Sequence, residues 1–194
     1  MRTKYILFIL CLSYCTGLTA QDNYATSLIP AELLTHSNVV KRMEEFKVQI
    51  NDVSNAIVYH KYALTILNVA GDGAAHLVEN YDRLISIHSI DGKLFDANGK
   101  KIRSLKNSDV KDVSGTSDNN LADDNRLKMH NFNYTIYPYT IEYETAIELK
   151  GIFYLPAWIP VENENYSVEK SKLVVECPLN YKLRFKTYNY ATEP

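Results

Sequence analysis

The side chains from which a reaction centre would be built are few, and their spacing does not assemble one. Of three cysteines, Cys11 and Cys15 fall in a segment read below as an export signal, which leaves Cys177. A cysteine hydrolase needs its thiolate lowered by a neighbouring histidine, usually at a helix start. Cys177 instead closes Val175-Glu176-Cys177-Pro178, the end of a strand pattern, and reads as a small core residue. His36, His60, His76, His88 and His130 are scattered, without the i, i+4 spacing of a metal-binding helix. His60 and His88 fall in strand patterns and read as strand residues with ordinary partners. The run Asp118-Asn119-Asn120-Leu121-Ala122-Asp123-Asp124-Asn125 offers the oxygens that calcium takes, but lacks the glycine and distal glutamate of a calcium loop. It reads as a solvated loop. The 15 tyrosines and Trp158 would suit a sugar-stacking platform, yet tyrosine also fits the pleats of half-buried strands. Asn133-Tyr134-Thr135 and Asn165-Tyr166-Ser167 match the glycosylation sequon. No catalytic, cofactor-binding or metal-ligating residue is assigned, and no cofactor is expected.

The elements that would carry such groups are easier to read. Along residues 137–149, apolar or aromatic side chains at odd positions alternate with mostly charged or small ones, the period of a strand with one buried face. Phe46, Val48 and Ile50 alternate likewise, and residues 51–55 supply turn chemistry. Residues 56–68 place Val58, His60, Tyr62, Leu64 and Ile66 on one face, and Ile57, Tyr59, Ala63 and Leu67 on the other. Apolar groups on both faces predict a central strand. Further strands are predicted over 84–95, 127–132, 173–175 and 181–190. Asn98-Gly99 suits a tight hairpin after the second of these segments' chain predecessor, the 84–95 strand. Residues 106–125 hold few apolar anchors and read as a mobile loop. Ile29-Pro30-Ala31-Glu32-Leu33-Leu34 makes one short helical turn with Pro30 at its first position. Short strands without a crossover helix predict an all-β chain folded as an antiparallel β-sandwich.

Export is read from the start of the chain. Arg2 and Lys4 precede an apolar run to Leu12, and Gly17-Leu18-Thr19-Ala20 ends on a small residue, so residues 1–20 read as a signal peptide cleaved before Gln21. Residues 21–28 follow as a polar linker and 29–194 as one sandwich domain. A net charge of −2 without basic clusters argues against nucleic acid as a partner. With Cys177 alone after cleavage, the domain is held by packing and not by an internal disulfide.

The order of these features resembles a bacterial family, the domain of unknown function 3857. The resemblance rests on Ile29-Pro30 with Val39-Val40, Thr65-Ile66-Leu67-Asn68 before a glycine turn, Tyr81-Asp82, and Asp96-Ala97-Asn98-Gly99-Lys100. It continues with Asp109-Val110-Lys111-Asp112, then Tyr139-Thr140-Ile141-Glu142-Tyr143-Glu144, Trp158 and Leu183-Arg184-Phe185. It implies an exported sandwich in the periplasm or outer envelope of a Gram-negative bacterium, standing before a transglutaminase-like core with a Cys, His and Asp triad. No triad residue carries over to this chain, and the sandwich is expected to be incomplete at its C-terminal end. The expected function is a non-catalytic accessory or interaction domain whose partner is a downstream catalytic domain, an envelope protein or a glycan. The alternatives are a carbohydrate-binding module using Trp158, and an autonomous cysteine hydrolase using Cys177.

Overall fold

A computed structural model describes residues 23–115 and 124–186. The export segment therefore lies outside the described residues, as does most of the acidic run 118–125. In chain order the strands are β1 (Val39–Asp52), β2 (Asn55–Ile66), β3 (Leu77–Tyr81), β4 (Ile85–Phe95), β5 (Lys101–Ser104), β6 (Lys111–Ser114), β7 (Arg126–His130), β8 (Tyr139–Leu149), β9 (Tyr166–Val168) and β10 (Lys172–Glu176). One sheet runs β10-β1-β2-β8-β4-β5 with β9 also on β1, and a second runs β3-β7-β6. The chain is an all-β sandwich.

Local chemistry sets the hairpins. Between β1 and β2 the Asp52 carboxylate accepts from the Ser54 backbone N–H and hydroxyl, both at 2.6 Å. Between β4 and β5, Asp96 N–H donates to the Lys100 carbonyl, and Gly99 takes the φ of +77° that the turn needs. β2 is central as predicted, paired with β1 on one side and with β8 on the other in unbroken register from Ala56↔Leu149 to Ile66↔Tyr139.

Several expectations are corrected. β1 starts at Val39 and not Phe46, because Lys41, Arg42 and Glu44 look like surface residues yet are buried. β9 and β10 run parallel to β1, so the larger sheet is mixed: after β8 the chain returns along the sheet's length before pairing, and a strand that enters after such a crossover lies parallel. The predicted loop 106–125 contains β6, four exposed residues held by pairing with β7 and by Asp112, which accepts from the Tyr81 hydroxyl and from Arg126. Polar contacts of this kind leave no hydrophobic period. The described part of the predicted strand 181–190 is not a strand. Tyr181 packs against the Phe46 cluster, while Leu183 and Phe185 are 40% and 68% exposed, so the alternation meets no buried face. The helical turn exists as Ala31–Leu34, with Pro30 at its N-cap. The described end of the linker lies on the sheet: Tyr24 is buried against Ala63 and Phe95, and its hydroxyl donates to Glu142 at 2.7 Å.

Two apolar clusters fill the space over the inner face of the larger sheet. One joins Val39, Leu64, Ile66, Ile141 and Tyr143 to Leu77 and Phe132 from the side of the second sheet. The other joins Phe46, Val48, Ile50 and Val58 to Leu155, Trp158 and Cys177 from the returning chain. The first cluster depends on a close approach at Gly71, where a Cβ would lie 2.6 Å from the Asn38 carbonyl oxygen and 2.9 Å from Val39 Cγ2. Gly71→Ala is expected to cost about 1–3 kcal/mol through this overpacking. Gly73→Ala, where a Cβ meets nothing within 4 Å, is expected to cost under about 1 kcal/mol. Urea midpoints of the two variants check the pair, and equal losses would refute the packing account.

Candidate functional site

Between the two apolar clusters the inner face turns polar, and a cleft of about 430 Å³ opens there. Its floor comes from three adjacent strands. His60 and Thr145 are cross-strand partners on β2 and β8, and Glu44 and Tyr62 are partners on β1 and β2. Lys41 and Glu44 share this face because of a bulge at Arg42: the register passes from Lys41↔Leu64 to Met43↔Ala63, so the extra residue restores Glu44 to the side Lys41 occupies. One wall is β3, which contributes Glu79, and the other is the returning chain with Pro156, Ala157 and Glu162.

Glu44 organises the floor. Its Oε1 accepts from Lys41 Nζ at 3.1 Å and His60 Nε2 at 3.0 Å. Its Oε2 accepts from Trp158 Nε1 at 3.2 Å and Ser171 Oγ at 2.5 Å. Burial alone would raise its pKa, but the hydrogen bonds from His60, Ser171 and Lys41 prevail and hold it at about 2. Lys41, 1% exposed, also pairs with Glu162 at 3.1 Å and reaches the Ile159 carbonyl at 3.5 Å. The floor is thereby tied to the returning chain at four residues, Trp158, Ile159, Glu162 and Ser171.

Glu79 has the opposite environment. The Thr145 hydroxyl donates to its Oε1 at 2.8 Å, and no lysine or arginine among the described residues pairs with the carboxyl. Burial pushes its pKa above the usual carboxylate value, against the opposing effects of Thr145 and His60. Burial likewise pushes the Tyr62 hydroxyl well up, assisted by Tyr143 and by the negative groups Glu79, Glu162 and Glu44. The cleft thus holds one carboxylate fixed as an anion and one whose burial disfavours its charged form.

The candidates read from the sequence disperse. Cys177 packs beside the Phe46 cluster, next to a separate opening lined by Gln49, Asn51, Glu176 and Pro178. His88 pairs with Glu148 at 3.0 Å, His130 shares a 2.7 Å hydrogen bond with Tyr143, and His76 lies at the cleft rim. Of the histidines, His60 sits on the cleft floor. No group of three or more His, Cys, Asp or Glu side chains suited to a metal occurs among the described residues. The Trp158 ring is partly buried against the Phe46 cluster, and its N–H is engaged by Glu44 and Ser171. Lys41, Glu44, Tyr62, Glu79 and Thr145 were not singled out from sequence. The available signal was the interruption of apolar faces by His60 on β2 and Thr145 on β8.

The model of a family described as a domain of unknown function with a solved structure, DUF3857, matches residues 54–194. His60, Tyr62, Glu79, Thr145 and Trp158 lie inside that span, whereas Lys41 and Glu44 precede it. No curated protein matches the chain. Among solved structures, a "putative protease" from Parabacteroides distasonis ATCC 8503 is similar in fold, with a TM-score of 0.59 and 13% identity over 73% of this chain. The match spans 29% of that longer protein. No helix among the described residues is long and apolar enough to cross a membrane.

Proposed function

Because the chain belongs to the DUF3857 family, a family of unknown function, we propose that it is an exported, non-catalytic binding module, of the kind that positions a ligand for a peptidase-like or transglutaminase-like core. The observation that carries this reading is the cleft: its strongest acid, Glu44, is spent on four hydrogen bonds that fix the walls. Such a group shapes a receptor; it is not free to shuttle a proton at neutral pH. The size of the cleft suits a small ligand or a short stretch of peptide. Similarity to less than a third of a longer protein called a protease supports a role beside a catalytic unit. Export is supported by the basic and then apolar residues 2–12.

A peptide mixture followed by NMR tests the reading. Shifts are expected at His60, Glu79 and Thr145, weakened by Gly73→Phe, which adds bulk at the cleft where a Cβ meets nothing within 4 Å. A thiol-directed activity probe and a peptide-turnover assay are expected to give the same result for the wild type and for Cys177→Ala. Turnover that disappears in Cys177→Ala would replace the binding module with a cysteine hydrolase.

A further inference from the structure

We propose that the cleft receives a primary ammonium group, carried by a lysine side chain or by the free amino terminus of a peptide, with Glu79 and Tyr62 as its direct partners. This rests on the reading of the cleft as a binding site.

The charges that face the cleft are Lys41 and Glu44 from β1, His60 from β2, Glu79 from β3, His76 just before it, and Glu162 from the returning chain. Lys41 is the one lysine or arginine among these lining residues, and it is already shared between Glu44 and Glu162. Glu79 has no such partner among the described residues. It takes one hydrogen bond, from Thr145, at one of its two oxygens. Tyr62 forms no hydrogen bond through its hydroxyl among the described residues. Both residues line the same cavity. A half-dehydrated carboxylate and an unengaged phenol oxygen are both acceptors, and an ammonium offers three donors with a positive charge. The aliphatic stem of a lysine finds Val58, Leu64 and Leu77 along the cleft. An anionic ligand would meet an excess of carboxylates, and a neutral apolar one would leave Glu79 buried without a counter-charge.

Binding on these terms displaces a proton wherever Glu79 is protonated in the free protein. Affinity for an ammonium is therefore expected to rise with pH as Glu79 loses its proton, the direction its raised pKa sets.

The test titrates the whole chain, by NMR and calorimetry, with Nα-acetyl-lysine methylamide, its neutral Nε-acetylated form, and alanyl-alanine amide with a free amino terminus. One of the two charged probes is expected to bind about 10-fold or more tighter than the neutral form, and which one does so identifies the source of the ammonium. Glu79→Gln is expected to remove that preference and its pH dependence. It should fold, because it relieves the burial of a carboxylate, and its thermal melt at neutral pH should match or exceed that of the wild type. Tyr62→Phe supplies a second variant, expected to weaken the charged probe and leave the neutral one unchanged. Equal affinity for charged and neutral probes, or an unchanged preference in Glu79→Gln, overturns the proposal. If these amines fail while other peptides still shift His60 and Thr145, the ammonium is wrong and the cleft reading stands. If no peptide shifts them, both fall.

Discussion

Glu44→Gln is expected to lose about 3 kcal/mol of stability at neutral pH, the free-energy equivalent of holding a carboxyl pKa at about 2 against an ordinary 4.5. The sign follows from the direction of the shift. The folded carboxyl is depressed, so its contribution is fully present above pH 4.5 and fades as pH falls towards about 2. Wild type and variant should therefore converge in acid. Urea denaturation at neutral pH and at successively lower pH measures the gap. A gap independent of pH would mean that the charge of Glu44 is not what the four donors stabilise. Trp158 supplies a local readout: its N–H rests on the Glu44 carboxylate and on Ser171, so removing the negative charge should shift its fluorescence in the folded variant.

The second large effect is expected at Tyr143, fully buried at the centre of the larger apolar cluster. Its ring stacks on Phe132 at 5.7 Å and meets Tyr62 at 5.9 Å. Gly92 presses so close that a Cβ there would lie 2.8 Å from the ring. Tyr143→Ala empties this space and is expected to cost about 3–5 kcal/mol, a large share of the roughly 5–15 kcal/mol that holds a domain together. Tyr143→Phe keeps the ring but leaves buried His130 without its 2.7 Å partner, for a loss of about 1–3 kcal/mol. Equal losses in the two variants, measured by urea unfolding, would show that the ring is not what fills the core.

Where apolar and polar side chains alternate, the strands were legible. β8 alternates, with Ile141, Tyr143 and Thr145 inward, although Thr140, Glu142 and Ala146 on its other face are buried too and Glu144 alone is exposed; the turns at Asp52 and Gly99 carry their own chemistry. The first half of β1 hid because the Arg42 bulge breaks the alternation and because its buried residues are charged. β6 hid because all of its residues are exposed. At residues 181–186 the alternation was real but lacked a surface to pack on. The cleft was illegible for a different reason. Glu44, His60, Glu79 and Thr145 come from four strands that topology alone brings together, and Glu44 and Glu79 have nothing in their neighbouring sequence to distinguish them from solvated acids. His60 was noticed and given an ordinary partner, which it has in Glu44; what sequence does not reveal is that this partner is itself the hub of the floor.

The parallel closure of β1 by β9 and β10 bears on the order in which the molecule assembles. The β1–β2 hairpin is complete once Ile66 has been made, but the far edge of β1 waits for residues 166–176, and the Arg42–Glu169 ion pair joins positions 127 residues apart. Contacts of such separation close late and slow the search for the native state. Until they close, a long strand with apolar side chains on its inner face presents an open row of backbone donors and acceptors to any neighbouring chain. Newly made protein is thus at greatest risk of clumping in the interval between synthesis of β8 and synthesis of β10, and truncation before Lys172 should turn a transient hazard into a permanent one.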